Sequence, residues 1–537
     1  MPSTIFVPEN GGTGMAQSVC VVGGGASALG LVWSIAKAKQ QGKFSDELEI
    51  TILHSDPQLG GHSASVAVPY QGQNVMLDLG VQMIAPAMYP NLVSMLELPE
   101  FAGVELQPVP LKITCAFPPV GGATPYWGNF ADDQSTPLWQ QGAVDCSTFE
   151  RLLSLDRYLP IAMSDFLSAN SSEFRDLQLF ENYFLDPYMS IMNGYGSALL
   201  DQLYVPEVAF LFDNSYASFT NWSSDFARFK DGSVAWINAM QAFAMGQLGS
   251  DLTIDCNVTA TQVYPAGDQV EVTWSHNLSG VEEGALFDMV VITVDQATCG
   301  QLLDNSANQQ SGLWSFFEQY VGQSVWNLQP GYCYLHQDES ILAPGIVAAG
   351  EETLQFTAYW ATQQSPYDLT YSFTTYIESN LVGIEDPAFN YYLTMYGFDP
   401  TQPSPVPVPI PSNPIQPTPM NWTHGMWMPM FSFHAKETFH QAQSVSPIRQ
   451  PLDGQRRTNI FFAGNNLTMD SEEGALVSGL AIAEYVFGIP VADLITEVSH
   501  SALSRAMYLA LFELMFPGIV DASSSTVPLL AAMQRRP

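Results

Sequence analysis

Basic residues are scarce in this 537-residue chain: Lys+Arg number 16 against 53 Asp+Glu, a formal net charge of −37. Charged residues make up only 13% of the sequence, so the imbalance comes from missing bases more than from crowded acids. A surface of that sign repels phosphate backbones and anionic headgroups, and no run of Lys or Arg makes a local exception, which excludes nucleic acid as a partner. Cysteine is also sparse. The six, at positions 20, 115, 146, 256, 299 and 333, form no CxxC and no Cys/His cluster at ligand spacing. They read as buried thiols, not as a disulfide framework or a metal site, and no metal is expected. No charge-free apolar stretch reaches the roughly 18 residues of a membrane span. The first residues, MPSTIFVPENGGTGMAQS, lack the basic and apolar regions of a secretory signal. The chain is therefore expected to be soluble and cytoplasmic.

Hydrophobic residues make up 47% of the chain, enough for large cores, and the length calls for more than one domain. The first structured run is QSVCVV (17–22), ending at Gly23-Gly24-Gly25. A helical stretch, ASALGLVWSIAKAKQQ, follows at once, then ELEITILH (47–54), whose β-branched alternation reads as a second strand. Strand, glycine turn, helix and strand make a βαβ unit of a parallel sheet. Further on, LTIDCNVTATQVYPAGDQVEVTWSH reads as strands around a turn at Pro265-Ala266-Gly267-Asp268, and FDMVVITV (287–294) as one buried strand. Helical patterning lies near 147–170 and 233–247. Nine prolines fall between 400 and 419, a stiff extended linker or long surface loop. The apolar tail 503–516 carries one Arg among few charges. It lacks the cationic face of a lipid-binding helix, so it is expected to pack on the body of the protein or on a second copy in a homodimer.

Gly23-x-Gly25-x-x-Ala28 fits the dinucleotide fingerprint in the required strand–turn–helix context, with Ser27 in its first helical turn. The first glycine makes the tight turn, the second admits a pyrophosphate to the backbone, and the small third residue lets helix and strand pack closely. The second strand of such a unit normally ends in an acid for the ribose hydroxyls. Here His54 holds that place, with Asp56 two residues on; either Asp56 substitutes or the adenosine end is held more loosely.

Asp56-Pro57-Gln58-Leu59-Gly60-Gly61-His62 then resembles the D-P-x-x-G-G-H/R stretch of the flavin-containing amine oxidase superfamily, which also holds polyene desaturases and fatty-acid isomerases. Asp78-Leu79-Gly80, leading to Gln82, Met83 and Ile84, is similar to the superfamily's acid-x-Gly segment that runs to the flavin ring. Asn257-Val258-Thr259 matches a strand whose Val backbone meets adenine. Ile460 to Gly464 and Glu473-Gly474-Ala475-Leu476-Val477-Ser478-Gly479 match the closing strand, A-G and E-G-A-x-x-S-G helix. Asn465 stands where an acid usually follows A-G. The resemblance implies FAD bound by Gly23, Gly25, Ser27, Ala28, His54, Asp56, Gly60, Gly61, His62, Gly80, Gln82, Met83, Val258, Gly464, Asn465, Gly474 and Ala475.

The expected fold is α/β, with a discontinuous Rossmann-type FAD-binding domain (17–90, 245–300 and 450–488), an inserted substrate domain (91–244 and 301–449, including the proline-rich loop 400–419) and a helical C-terminal tail (489–537). The resemblance further implies an FAD-dependent oxidoreductase taking hydride onto flavin N5, with dioxygen as reoxidant. An apolar or unsaturated substrate (fatty acid, polyene or isoprenoid) is favoured over a polar amino acid, because few arginines exist to clamp a carboxylate. Trp360, Trp427 and Met428 are the candidate substrate-wall residues; no catalytic residue is assigned. A redox-neutral double-bond isomerase, an amine or amino-acid oxidase, and a flavoprotein scaffold without catalysis remain as alternatives.

Overall fold

The computed structural model describes residues 16–118, 125–129, 136–156, 161–193, 226–311, 332–343, 354–360, 369–396, 408–415, 459–464, 471–489 and 501–515, with isolated positions between them. Its centre is a parallel five-stranded sheet ordered β18 (Ile460–Phe462), β13 (Met289–Ile292), β1 (Gln17–Val22), β2 (Leu48–His54) and β9 (Leu252–Cys256). All four pairings are parallel. One sheet is therefore drawn from three separated parts of the chain. Its strands are near-continuous apolar runs because both faces are covered, one by helices and the other by the antiparallel strands of residues 258–287. Val19, Cys20, Val21, Val290 and Val291 are fully buried in a core shared with the Ala26–Gln40, Val234–Leu248 and Glu472–Phe487 helices.

Two runs that read as single units are each divided by the structure. Asn257, at φ +58, breaks the first. Before it, β9 stays in the parallel sheet. After it, β10 (Val258–Ala266) turns away into an antiparallel sheet with β11 (Gln269–His276) and β12 (Glu282–Phe287). In the second run, Phe287 closes β12 while Met289 opens β13. Asp288 is the joint: its Oδ2 accepts from the Ser18 backbone N–H at 2.8 Å and the Ser18 hydroxyl at 3.0 Å, which draws the chain onto β1. The Pro137–Asp156 helix also begins ahead of the patterned stretch. Gly142 and its glutamines weaken the periodic signal there, and proline at the first helical position was the readable start.

The second large sheet is ordered β14 (Tyr332–His336), β17 (Tyr392–Tyr396), β16 (Leu369–Ile377), β15 (Leu354–Trp360), β6 (Ile113–Ala116) and β7 (Tyr126–Gly128). The hairpin β3 (Ser65–Tyr70)–β4 (Gln73–Asp78) and the pair β5 (Leu106–Val109)–β8 (Phe226–Phe229) link this sheet to the central one. One face of the second sheet, with Cys115, Phe356, Leu393 and Met395, packs into an aromatic core with Trp127, Phe149, Phe184 and Tyr188. Its other face carries buried polar side chains: the His336 ring and the Thr394 hydroxyl lie 2.8 Å apart, and Thr394 is 2.9 Å from the Thr375 hydroxyl. Residues 408–415 of the proline-rich stretch lie along this sheet, where the Pro409 carbonyl accepts from the Tyr396 hydroxyl at 2.6 Å and the Ile415 N–H donates to the Leu335 carbonyl at 2.7 Å.

The tail helix Ser501–Met515 docks on the same chain. Ser504 donates to Asn91 Oδ1 at 2.7 Å, the Tyr508 hydroxyl donates to Glu484 Oε2 at 2.6 Å, and Leu511, Phe512 and Met515 enter the core of the parallel sheet. Tyr508→Phe is expected to lower stability by about 1.5–3 kcal/mol, the scale of one buried hydrogen bond to a carboxylate. A denaturant midpoint equal to wild type would refute this docking role.

Candidate functional site

The glycine turn after β1 does different work at each position. Gly23 takes φ +108, and a Cβ there would sit 2.5 Å from Thr293 Oγ1; at Gly24 it would meet Leu59 Cδ2 at 2.5 Å and the His54 ring at 2.8 Å. These two glycines are required by protein packing. At Gly25 the nearest atom to a Cβ is the Gly60 carbonyl oxygen, 4.0 Å away, so room is left there. The Ala26–Gln40 helix starts at that point with no side-chain cap and no acid in its first turn, leaving its N–H groups for an anion.

The diglycine turn faces this space. The Gly60 N–H donates to the Gly24 carbonyl at 2.9 Å, Gly25 and Gly60 form a bridge, and a Cβ on Gly61 would lie 3.5 Å from Gly25 Cα. From the far end of the chain, the Gly464 N–H donates to Ser478 Oγ at 2.8 Å, and Ser478 donates to Ser27 Oγ at 3.0 Å. Gly30 and Gly479 bring the first and last helices of the sheet into backbone contact, with Ala28 fully buried beside them. Gly23, Gly25, Ser27, Ala28, Gly60, Gly61, Gly464, Gly474 and Ala475 are thereby brought together. Ser471 already caps the Glu472–Phe487 helix by accepting from Gly474 N–H at 3.0 Å, and its carbonyl accepts from Ala475 N–H at 2.9 Å. Those two amides are satisfied internally.

At the end of β2, His54 is buried with its ring against Gly24. Its Nε2 has no hydrogen-bond partner among the described residues and lies 3.6 Å from Asp56 Oδ2. Desolvation lowers its pKa more than Asp56 raises it, so His54 is neutral and the contact is not an ion pair. Asp56 is the exposed member of the two. Its carbonyl accepts from Asn257 N–H at 3.0 Å, which sets Val258 beside the same loop.

The β4 end brings in Gly80, Gln82 and Met83. The Gln82 amide donates to the Asp78 carbonyl, and the Val81 N–H donates to the His62 carbonyl at 3.2 Å. Asp78 Oδ1 accepts from Ser65 Oγ and from Ser233 N–H, both at 2.6 Å, and so ties the start of the Val234–Leu248 helix to this loop. Asp78 is 1% exposed, and burial raises its pKa against the pull of those donors and of Arg228, whose guanidinium is 3.8 Å from Oδ2.

A buried acid cluster here escaped the sequence reading. Glu378 is pushed up to about 8 by burial, with Arg228 opposing and Asp78 adding to the rise. Glu472 is pushed to about 7 by burial, against a hydrogen bond from the Ser63 hydroxyl. Glu473 is raised to about 7 by burial, although it accepts from Asn91 N–H at 2.9 Å, Asn91 Nδ2 at 2.6 Å and Leu92 N–H at 2.9 Å. The readable signal was the adjacent pair Glu472-Glu473 opening an otherwise apolar helix. Arg228 is committed to Asp78, Arg151 pairs with Glu173 at the surface, and Lys230 pairs with Glu105 at 2.7 Å, also at the surface. The Trp360 side chain and all of Asn465, Trp427 and Met428 lie outside the described residues.

Residues 21–97 match a family described as an NAD(P)-binding Rossmann-like domain. Among solved structures, a provisionally assigned protoporphyrinogen oxidase from Exiguobacterium sp. 255-15 superposes with a TM-score of 0.55 at 12% identity, covering 88% of this chain and 99% of that one. Wild-type putrescine oxidase bound to putrescine superposes with a TM-score of 0.52 at 14% identity, again covering 88% and 99%. No curated protein matches in sequence. The fold shared with these two structures is a parallel Rossmann-type sheet built from separated segments, accompanied by a second, mixed sheet. Among the described residues no helix is long and apolar enough to cross a membrane.

Proposed function

We propose that the protein is an FAD-dependent oxidoreductase. The observation that carries this is the room left at Gly25, beside an uncapped helix start, in the fold of flavin-dependent oxidases. Bound there, FAD would supply the hydride acceptor at N5 of its ring. The chain's own part is to hold the diphosphate on the Gly23–Gly25 and Gly60–Gly61 backbones, to neutralise it with the dipole of the Ala26–Gln40 helix, and to bring the Gly80–Met83 segment to the ring. Asp56 and the Val258 backbone would hold the adenosine end. His54, neutral and buried, supports the turn from beneath.

The substrate side favours an apolar or unsaturated molecule. Arg228, Arg151 and Lys230 are each engaged by an acid, and the second domain is built on aromatic and aliphatic side chains. An amine is the second reading, supported by the fold shared with putrescine oxidase and by a net charge of −37, which draws cations toward the protein. Dioxygen is the expected electron acceptor, and the site is expected to be complete within one chain.

The test is the visible spectrum of the purified protein, followed by anaerobic titration with pooled fatty acids, polyenes and amines. Bleaching by the lipid pools supports the first reading and bleaching by the amines the second. A protein that stays colourless after FAD is added would sink both.

A further inference from the structure

We propose that Glu472 is a protonated acid that contacts the cofactor, its unpartnered Oε2 serving as a hydrogen-bond donor at the glycine cradle, so that cofactor retention falls as the pH rises through neutrality. This rests on the flavin reading above. Glu472 opens the Glu472–Phe487 helix and is 5% exposed. Its Oε1 accepts from the Ser63 hydroxyl. Ser63 is two residues past Gly61, and its N–H donates to the Gly60 carbonyl at 3.1 Å. The carboxyl is thus strapped to the turn that faces Gly25. Its second oxygen, Oε2, is buried with no hydrogen-bond partner among the described residues. A carboxylate oxygen in that state loses its hydration without compensation, whereas a carboxylic O–H there is a donor in want of an acceptor. Phosphate, ribityl and ring oxygens of the cofactor would all serve.

The groups around it agree. Asp78, at the end of β4, raises the Glu472 pKa. Tyr89 is itself driven up by burial and by Glu472 and Glu473. Arg228 is 3.8 Å from Asp78 and is shared with Glu378. Glu473, the next residue, is turned to Asn91 and Leu92. Among the described residues no cation pairs with Glu472. His62, beside Ser63, is the other group of the turn whose ordinary pKa lies near neutrality.

The test is the affinity of the full-length apoprotein for FAD, read by quenching of FAD fluorescence between pH 6 and 8.5. Wild type is expected to lose affinity above neutrality at a slope approaching about tenfold per pH unit. Glu472→Gln, which keeps a neutral donor, is expected to give a flat profile, whereas His62→Asn, whatever it costs in absolute affinity, is expected to keep the slope. Ser63→Ala removes the hydrogen bond that favours ionisation, so its midpoint is expected at higher pH; it also serves if the Glu472 variant does not fold. A Glu472→Gln profile parallel to wild type, or a slope lost only in His62→Asn, overturns the assignment while leaving the flavin reading intact. Wild type that quenches no FAD at any pH overturns both.

Discussion

Protein carrying Gly25→Val is expected to fold and to purify without bound FAD. Gly25 has φ −84 and ψ −168, an extended backbone open to any residue, and the nearest atom to its Cβ position is 4.0 Å away. A Cβ there overlaps no atom of the described residues. The side chain fills the room left at Gly25 that a diphosphate needs and denies the helix-start amides their anion. Losing two backbone–phosphate hydrogen bonds of about 1.4 kcal/mol each corresponds to a fall in affinity of about a hundredfold. Gly479→Val is the counterpart. Its Cβ would overlap the Ser27 carbonyl oxygen and lie 2.8 Å from the Leu31 nitrogen, pushing the first and last helices apart at an overpacking cost of about 1–3 kcal/mol or more. Circular dichroism with FAD titration separates the two: Gly25→Val should keep its fold and lose FAD, whereas Gly479→Val should lose stability first. Wild-type FAD affinity in a folded Gly25→Val protein would refute the cradle.

The parts of the site built from backbone were legible in the sequence, because the cause of each is local. A tight turn, a close approach and a helix start all need glycine or another small residue at fixed spacing, so Gly23, Gly25, Ala28, Gly60 and Gly61 could be named before the fold was known. The parts built from side chains were not. Asp78 caps a helix that begins more than 150 residues later, and Arg228 reaches Asp78 from β8. Glu473 accepts from the start of the Pro90–Leu96 helix, to which it has no sequence proximity. No periodicity encodes such partners. The divided strands failed for a related reason: Asn257 and Asp288 are ordinary polar residues in a β pattern, and only the φ of one and the tie of the other to Ser18 show that the chain changes sheets there.

The same buried acids make the stability of the apoprotein depend on pH in a direction unusual for a carboxylate-rich protein. An acid that is paired and solvated in the native state is stabilised there as the anion, and acid then unfolds the protein. Glu378, Glu472 and Glu473 do the opposite. Their native pKa values, about 8, 7 and 7, lie above the ordinary 4.5, so the native state holds protons that the unfolded chain releases. Their contribution to stability is fully present below about pH 4.5 and is lost as the pH rises toward 7–8. Glu378 is the cleanest of the three to test, being 1% exposed with no hydrogen-bond partner at Oε1. Its shift corresponds to a loss on the order of 4 kcal/mol across that window.

Glu378→Gln keeps the shape and the neutrality of the protonated acid and leaves the Arg228–Asp78 pair in place. It is expected to match wild type near pH 4.5 and to exceed it increasingly up to pH 8, with the largest gap at the alkaline end. Glu378→Lys would instead set a second cation beside Arg228 and should fail to fold. Denaturant midpoints of the apoprotein at pH 5 and pH 8 decide the matter. Parallel wild-type and Glu378→Gln values would mean that Glu378 is already ionised beside Arg228, and that the guanidinium is shared by two carboxylates instead of by one carboxylate and one acid.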